Sequence, residues 1–392
     1  MKTEKHEAKK KDIIESAFRI WGGCRYRETS LSHLAAELSI TKQALYRYFA
    51  SKEKLESAME DIALDNYDRS ARHLQDELSE MTDDEWTEAY VEGTVSFFQN
   101  HSRYMGFLTY RYRHSSQGPQ ITRNHNKRFG EMAQERAGIP EVGFRFLNAL
   151  IFKDLHFRNT VGKNLGFWKT AWYQGFGTDN KIEEPDYTLV LDDASNVDYS
   201  AFAADSMVKA VFETVMEEAG GGVSLSKVAK KAGLTKSSLY NYWPSKEEML
   251  SDVLLRQLSI YEKLFEQFAE SYDTPGNRLF AYLAFMGTFL RRNPDVLNYL
   301  QRIMNVGVNM PTDRWKLEDL YTKPLESGVS AGLLSLGEYK PVDFLGLVTL
   351  ATVNEVKHHL VEDSDRSQID MSLKDLYRLI VGGISVLRRT QS

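Results

Sequence analysis

Two segments of this sequence repeat the same set of lysine, tyrosine and serine side chains. These side chains can donate hydrogen bonds, and the lysines also carry positive charge. The segments run from Ser30 to Glu53 and from Ser224 to Glu247, align without a gap, and are identical at half of their positions. Both contain the pattern Thr-Lys-x-x-Leu-Tyr-x-Tyr-aromatic-x-Ser-Lys-Glu. Ammonium and hydroxyl groups are donors of the kind that contact phosphate oxygens, and a repeat of this length indicates the architecture of the whole chain.

Each segment is predicted to fold as a helix, a short turn and a second helix. Ser30 is a suitable N-cap, because its hydroxyl can accept a hydrogen bond from an amide of the first turn. Ile40 fills the turn, and Thr41 caps the second helix. Apolar residues recur at helical spacing on one face. They are Leu31, Leu34, Ala35, Leu38, Leu45 and Phe49, and then Leu225, Val228, Ala229, Ala232, Leu239 and Trp243. Such a hairpin is typical of the helix-turn-helix motif, whose second helix enters the major groove of DNA.

The repeated pattern, preceded by a Leu-x-x-(Leu/Val)-Ala helix, resembles the DNA-binding head of TetR-type transcriptional regulators. It is long and occurs twice in register, which makes it more specific than a single helix-turn-helix match. The alternative is a pair of amphipathic helical hairpins that pack for structural reasons only. That alternative leaves the polar outer face of the second helix, with its tyrosines and lysines, unexplained.

The resemblance implies an all-α protein of two tandem TetR-like units, each a three-helix head followed by a helical regulatory body. The expected boundaries are 1–52 for head 1, 53–176 for body 1, 177–200 for an acidic linker, 201–246 for head 2 and 247–392 for body 2. Helical periodicity in body 2 recurs at 313–330, 342–361 and 372–388. We expect the two units to pair within one chain as a pseudo-dimer, with a dimer of two chains and four heads as the rival arrangement.

The resemblance also implies which residues contact DNA. In head 1 they are Ser30, Ser32, Lys42, Gln43, Ala44, Tyr46, Arg47, Tyr48 and Lys52, and in head 2 they are Ser224, Ser226, Lys227, Lys236, Ser237, Ser238, Tyr240, Asn241, Tyr242 and Lys246. Tyrosines and lysines of such a set hold the phosphate backbone and carry no sequence information. Inward packing is the alternative for Tyr46 and Tyr240.

Base reading is expected at the positions where the two heads differ. Gln43 can read adenine and Arg47 can read guanine through bidentate hydrogen bonds, while Asn241 favours adenine. Head 1 has Gln43, Ala44 and Arg47 where head 2 has Ser237, Ser238 and Asn241. We therefore expect an operator with two dissimilar half-sites rather than a palindrome.

The bodies are expected to bind a small-molecule effector, because members of the family release DNA in that way. The candidate residues are Phe97, Phe107, Arg111, Arg113, Phe285 and Phe289. Aromatic stripes at helical spacing more often form a core than a pocket. The segment from Gly93 to Gly130 contains no acidic residue but several arginines, including Arg111 and Arg113. It is either a solvated basic loop, which could dock on the acidic linker or on the partner half, or a site for an anionic effector.

Composition narrows the class of protein. The net charge of −6 argues against a generally basic nucleic-acid binder, yet Ser30–Leu55 carries four basic and two acidic residues, and Ser224–Met249 carries five and two. The sequence contains no stretch of eighteen apolar residues, the charged N-terminus does not resemble a signal peptide, and Cys24 is the single cysteine. We expect a cytoplasmic protein without a membrane span.

No catalytic motif supports an enzyme. Glycine-rich phosphate loops, nucleophile elbows and His/Cys clusters at metal-ligand spacing do not occur in the sequence, so neither a cofactor nor a metal is expected. The remaining alternative to a DNA-binding regulator is a ligand-binding or scaffold helical protein whose heads no longer bind DNA. Measuring DNA binding against salt concentration separates these two functions.

Overall fold

The computed structural model describes residues 2–21, 30–111, 118–153, 165–178, 184–202, 205–217, 224–294, 296, 334–337 and 341–390. Among these residues the regular elements are all helices, and the one strand-like pairing is an isolated antiparallel bridge between Gly177 and Leu334. The predicted all-α fold is therefore confirmed. None of the described helices is long and apolar enough to cross a membrane.

The helices of the first half are α1 (Lys2–Trp21), α2 (Leu31–Glu37), α3 (Lys42–Tyr46), α4 (Lys52–Glu80), α5 (Asp83–Asn100), α6 (Ser102–Arg111), α7 (Gly118–Ala137), α8 (Glu141–Lys153) and α9 (Leu165–Gln174). Those of the second half are α10 (Tyr187–Asn196), α11 (Ser206–Glu217), α12 (Leu225–Lys231), α13 (Lys236–Tyr242), α14 (Lys246–Ala269), α15 (Pro275–Arg292), α16 (Pro341–Val361) and α17 (Arg366–Thr390). The chain forms two compact units: unit 1 is Met1–Phe144 with Leu150–Lys169, and unit 2 is Arg145–Ala149 with Thr170–Ser392.

In unit 1 the apolar faces of α1, α2 and α3 close over the start of α4. Ile13, Leu34 and Leu45 are completely buried in this core. The ring of Phe18 meets that of Tyr104 edge to face, with 4.8 Å between the centroids, so α6 packs directly on the head. The long helix α4 then continues into the body, where it packs against α5, α6 and α7.

In unit 2 the central element of the body is α15. Every residue from Leu279 to Leu290 is buried, because α10, α14, α16 and α17 pack around it. A helix that is apolar all round is stable only when neighbours cover it completely. The head of this unit is built from α11, α12 and α13, which pack together and lead into α14.

Part of the predicted acidic linker is a packed helix. The helix α10 starts at Tyr187, and Asp186 caps it by accepting a hydrogen bond from the amide of Leu189 at 3.0 Å. Val190, Leu191 and Ala194 are buried on one side of it, and α10 packs against α15. These three residues have helical spacing, but the acidic residues around them obscured the pattern. Residues 179–183 of the linker and the helix predicted over 313–330 lie outside the described residues.

Candidate nucleic-acid interface

Hydroxyl caps set the start of each helix in head 1. Ser30 Oγ accepts a hydrogen bond from the amide of His33 at 3.1 Å, and Thr41 Oγ1 accepts one from the amide of Ala44 at 3.1 Å. Ser51 Oγ caps α4 in the same way through the amide of Lys54 at 3.3 Å. The caps predicted at Ser30 and Thr41 are therefore confirmed, and Thr41 fixes where α3 begins.

Head 2 repeats these caps at the equivalent positions. Ser224 Oγ accepts from the amide of Lys227 at 3.4 Å, and Thr235 Oγ1 accepts from the amide of Ser238 at 3.1 Å. Ser245 Oγ accepts from the amide of Glu248 at 3.1 Å. The two segments that match in sequence therefore also match in local geometry.

The turn between the two helices has a left-handed residue in both heads. It is Ser39 in head 1, with φ of 54°, and Gly233 in head 2, with φ of 69°. An L-residue at positive φ places its Cβ close to the neighbouring carbonyl, whereas glycine adopts this conformation without that cost. The turn of head 1 therefore carries backbone strain at Ser39, whereas Gly233 relieves that strain in head 2.

We expect Gly233→Ala to destabilise unit 2 by about 1 kcal/mol, because the new Cβ is strained by backbone conformation alone. No heavy atom lies close enough to Gly233 to contact an added Cβ, so a clash does not contribute. The measurement is urea unfolding of the full chain. The matched control is Ser39→Gly, which should be neutral or slightly stabilising, and equal destabilisation by both variants would contradict this account of the turn.

The inner faces of α3 and α13 differ at one aromatic position. Leu45 and Leu239 are both buried, and Phe49 is buried beneath α3. Trp243 is half-buried and donates its Nε1–H to Asp252 Oδ2 at 2.8 Å. The second head thus holds the end of α13 on α14 partly with a polar contact.

The outer faces carry the residues predicted to contact DNA. Tyr46 and Tyr240 are 42% and 46% exposed, so their rings do not pack inward, and Tyr242 is 66% exposed. The remaining exposed members are Ser30, Ser32, Lys42, Gln43, Arg47, Ser226, Lys227, Lys236, Ser237 and Asn241, while Ala44, Tyr48, Lys52, Ser224, Ser238 and Lys246 are half-buried. A face of this composition can present cations and hydrogen-bonding groups to a polyanion.

Neighbouring acids already engage some cations of the heads. Lys231, at the end of α12, donates to Glu213 at 2.9 Å and to Glu217 at 2.7 Å. These hydrogen bonds raise the pKa of Lys231. Lys52 lies 3.6 Å from Glu56, whose side chain is almost buried. Lys42 instead lies over the ring of Tyr46, 5.8 Å from its centroid.

One contact at head 1 was not predicted from the sequence. The helix α1 begins at Lys2, and its first turns extend beside Tyr48 and Phe49, just after the end of α3. The ring of His6 stacks on that of Tyr48, with 4.7 Å between centroids and 22° between planes. Lys10 Nζ lies 5.7 Å from the centroid of Phe49. In the sequence, the lysines from Lys9 to Lys11 indicate a basic segment at the start of the head. They do not show that this segment contacts Tyr48 and Phe49.

The candidate effector residues are distributed through the packed parts of both units. Phe107 is completely buried, with its ring 5.5 Å from that of Phe18. Phe285 and Phe289 are buried and contact the ring of Tyr261 at 5.1 and 4.8 Å. The side chain of Arg111 and the whole of Arg113 lie outside the described residues.

Unit 1 contains an open cleft of about 600 Å³ between α4 and α7, which the sequence did not predict. Its lining is mostly polar: Asp61, Leu64, Asp65, Asp68, Arg72, Gln75, Ile121, Asn124, His125 and Arg128. The buried His125 lies 2.8 Å from Asp68 Oδ1 and 3.2 Å from Gln75 Nε2. Partial burial raises the pKa of Asp68, but hydrogen bonds and charge from His125 and Arg72 outweigh it and lower that pKa. Phe97 reaches this lining indirectly, because it contacts Tyr67, whose ring contacts His125.

No group of three or more His, Cys, Asp or Glu side chains within the described ranges is arranged to hold a metal ion. The adjacent His358 and His359 have their ring centroids 5.3 Å apart at a steep angle. His359 lies within hydrogen-bonding distance of Ser364 Oγ at 2.9 Å and Ser372 Oγ at 2.6 Å. The ring nitrogens of His359 therefore face hydroxyl groups.

Comparison with known proteins identifies both heads. The sequence model for bacterial regulatory proteins of the tetR family matches residues 13–59 and 213–253. A TetR-family transcriptional regulator from Haemophilus influenzae is similar in structure, with 19% identity and a TM-score of 0.37 over 46% of this chain and 98% of that chain. The fatty acid degradation regulator FadR from Bacillus halodurans is similar with 16% identity and a TM-score of 0.34, over 52% of this chain and 98% of that chain. None of the curated proteins compared with this sequence matches it.

Proposed function

We propose that this chain, in which the sequence model for regulatory proteins of the tetR family matches residues 13–59 and 213–253, is a transcriptional repressor that leaves its operator when a small molecule binds. The observation that carries this proposal is the exposed polar face on the second helix of each head. The same Lys, Tyr and cap residues recur there at equivalent positions, with the two tyrosines Tyr46 and Tyr240 turned outward. The second helix of a helix-turn-helix that presents such a face binds in the major groove.

The operator is proposed to have two dissimilar half-sites. Phosphate-contacting residues are shared between the heads, since Lys42, Tyr46 and Lys52 have identical counterparts in head 2. The base-reading residues are not shared, because Arg47 of head 1 corresponds to Asn241 of head 2. Arginine favours guanine and asparagine favours adenine, so the two heads prefer different bases.

We further propose that both heads of one chain bind one operator as a pseudo-dimer in the cytoplasm. Most members of such families need two chains to supply two heads, whereas this chain contains both matches to the family model. The rival arrangement is a dimer of chains with four heads. The mass of the DNA-free and DNA-bound protein in sedimentation separates one chain from two per operator.

The effector is proposed to bind in the bodies. Phe97, Phe107, Arg111, Arg113, Phe285 and Phe289 remain the candidate residues for this site. Phe97 has support from its surroundings, because its ring lies 5.4 Å from that of Tyr67, next to the lining of the cleft in unit 1. A ligand that orders the cleft between α4 and α7 acts directly on the helix that begins at head 1.

The test is selection from random DNA followed by affinity measurement at several salt concentrations. Neutralising about 6–10 phosphates predicts an affinity loss of roughly 10³–10⁵-fold between about 50 and 200 mM salt. We expect that loss, together with a selected sequence of two unlike halves. A selected palindrome would contradict the dissimilar half-sites. No salt-dependent binding to any duplex would instead support the scaffold function and contradict the regulator.

A further inference from the structure

The first ten residues of α1, residues 2–11, form a basic extension of head 1, here called the basic arm. They contain five lysines and two glutamates. The apolar face of α1 that builds the head starts only at Ile13, so the arm contributes little to the core of the head. Lys5 and Lys11 are exposed, and Lys9 and Lys10 are half-buried.

Contacts with Tyr48 and Phe49, just after the proposed reading helix α3, hold the basic arm in place. The His6 ring is stacked on that of Tyr48, one turn before the contact of Lys10 with Phe49. Tyr48 and Phe49 directly follow Arg47, the residue proposed to read guanine. The arm therefore lies beside the part of head 1 that is proposed to face DNA.

Head 2 has no basic arm, although its helices match those of head 1. The equivalent residues 196–205 contain no lysine or arginine and two aspartates. Asp205 accepts hydrogen bonds from the amides of Met207 and Val208 at 2.7 and 3.2 Å, which starts α11 at the core-forming turn. The preceding Phe202 packs its ring on Phe289, 4.7 Å away. Phe202 therefore packs onto the body of its own unit.

The tyrosine next to the arm shows the same asymmetry. Tyr48 is half-buried and covered by His6, whereas its counterpart Tyr242 is 66% exposed. Among the described residues, the ring contact of Tyr242 is with the adjacent Trp243, at 5.9 Å. The heads thus differ both in charge and in what covers this tyrosine.

We propose that the basic arm binds phosphates of DNA beside the half-site of head 1, and that head 2 makes no equivalent contact. The stack of His6 on Tyr48 tethers the arm to the reading helix, so that its lysines approach the backbone when head 1 is seated. Each lysine that neutralises a phosphate releases a counterion and steepens the salt dependence of binding. This inference rests on the proposed DNA-binding function and adds a sequence-independent difference between the two heads.

The experiment compares two double variants of the full chain on the operator obtained by selection. Lys5→Ala/Lys9→Ala removes two cations from the arm and keeps His6 and Lys10, which contact Tyr48 and Phe49 just after α3. Lys127→Ala/Lys263→Ala removes two exposed cations from the bodies and is the charge-matched control. We expect the slope of log affinity against log salt to become shallower by about 1–2 for the arm variant and to stay unchanged for the control.

The tether is tested separately with His6. His6→Ala should also make the salt slope shallower, whereas His6→Phe, which keeps a ring against Tyr48, should retain the original slope. Hydroxyl-radical footprinting should show protected sugars beside the head 1 half-site and not beside the other, and the arm variant should lose that protection.

The outcomes separate the arm from the proposed function. The unmodified protein could bind DNA with a steep salt dependence while the two double variants show equal slopes. That result would contradict phosphate binding by the arm and leave the proposed regulator function unaffected. In that case a lower melting temperature for the arm variant would assign the arm a purely structural role. Failure of the unmodified protein to bind any duplex would overturn both.

Discussion

Replacement of Arg47 by alanine is expected to weaken binding to the operator by about 1–3 kcal/mol, which is roughly 5- to 150-fold. Arg47 is exposed directly after the last residue of α3, where a guanidinium can donate two parallel hydrogen bonds to O6 and N7 of guanine. Alanine removes both donors and leaves the caps and core of head 1 unchanged. The measurement is affinity for a set of duplexes in which every base pair of the operator is changed in turn.

Asn241→Ala is the matched control, because Asn241 is the equivalent residue of head 2. It should relax discrimination in the other half-site only. Arg47→Asn places the residue of head 2 in head 1 and should move the preference at one base pair from guanine towards adenine. If Arg47→Ala weakened binding to all duplexes by the same factor, Arg47 would contact phosphate and would not read a base.

Replacement of Glu355 by alanine is expected to destabilise unit 2 by about 3–5 kcal/mol. Glu355 is 2% exposed, and its carboxylate accepts hydrogen bonds from Arg145 Nε at 2.8 Å and from Arg145 Nη2 at 2.6 Å. The side chain of Arg145 is only 18% exposed, so the variant leaves a largely buried guanidinium without its carboxylate. The free energy of unfolding is measured with urea and tryptophan fluorescence.

An exposed ion pair provides the control for Glu355. Arg366 lies 3.0 Å from Asp192, and both side chains are substantially exposed. Asp192→Ala should cost less than about 1 kcal/mol, because solvent screens this pair. Similar losses for the two variants would mean that burial does not set the strength of the Glu355 contact.

The same carboxylate predicts a pH dependence of stability. Burial on its own raises the pKa of Glu355, but hydrogen bonds from His359 and Arg145 and the charge of Arg145 outweigh it and lower the pKa to about 2. The folded form therefore binds this proton less readily than the unfolded chain does. Its contribution of roughly 3 kcal/mol is fully present above about pH 4.5 and is lost as the pH falls towards 2. The Glu355→Ala variant should lose less stability than the unmodified protein over that interval.

The sequence alone determined the parts of the protein that depend on local interactions. Caps such as Ser30 and Thr41 act on amides three residues ahead, and apolar stripes such as Leu31, Leu34 and Ala35 follow the period of a single helix. Both signals occur in two segments that align without a gap. The sequence alone therefore predicted the all-α fold and the two heads. The differences between Arg47 and Asn241 were visible for the same reason.

Only the tertiary structure decided the contacts that join distant parts of the chain. Arg145 and Glu355 are separated by 210 positions, and nothing near either residue predicts that a buried charge will meet its partner. The ring of His6 stacks on that of Tyr48, and α10 is held by α15 although its own acidic residues resemble a linker. Such contacts depend on how helices pack against one another and not on the apolar period of any one helix. The sequence therefore predicted the two heads, whereas the packing of the helices determined the contacts around them.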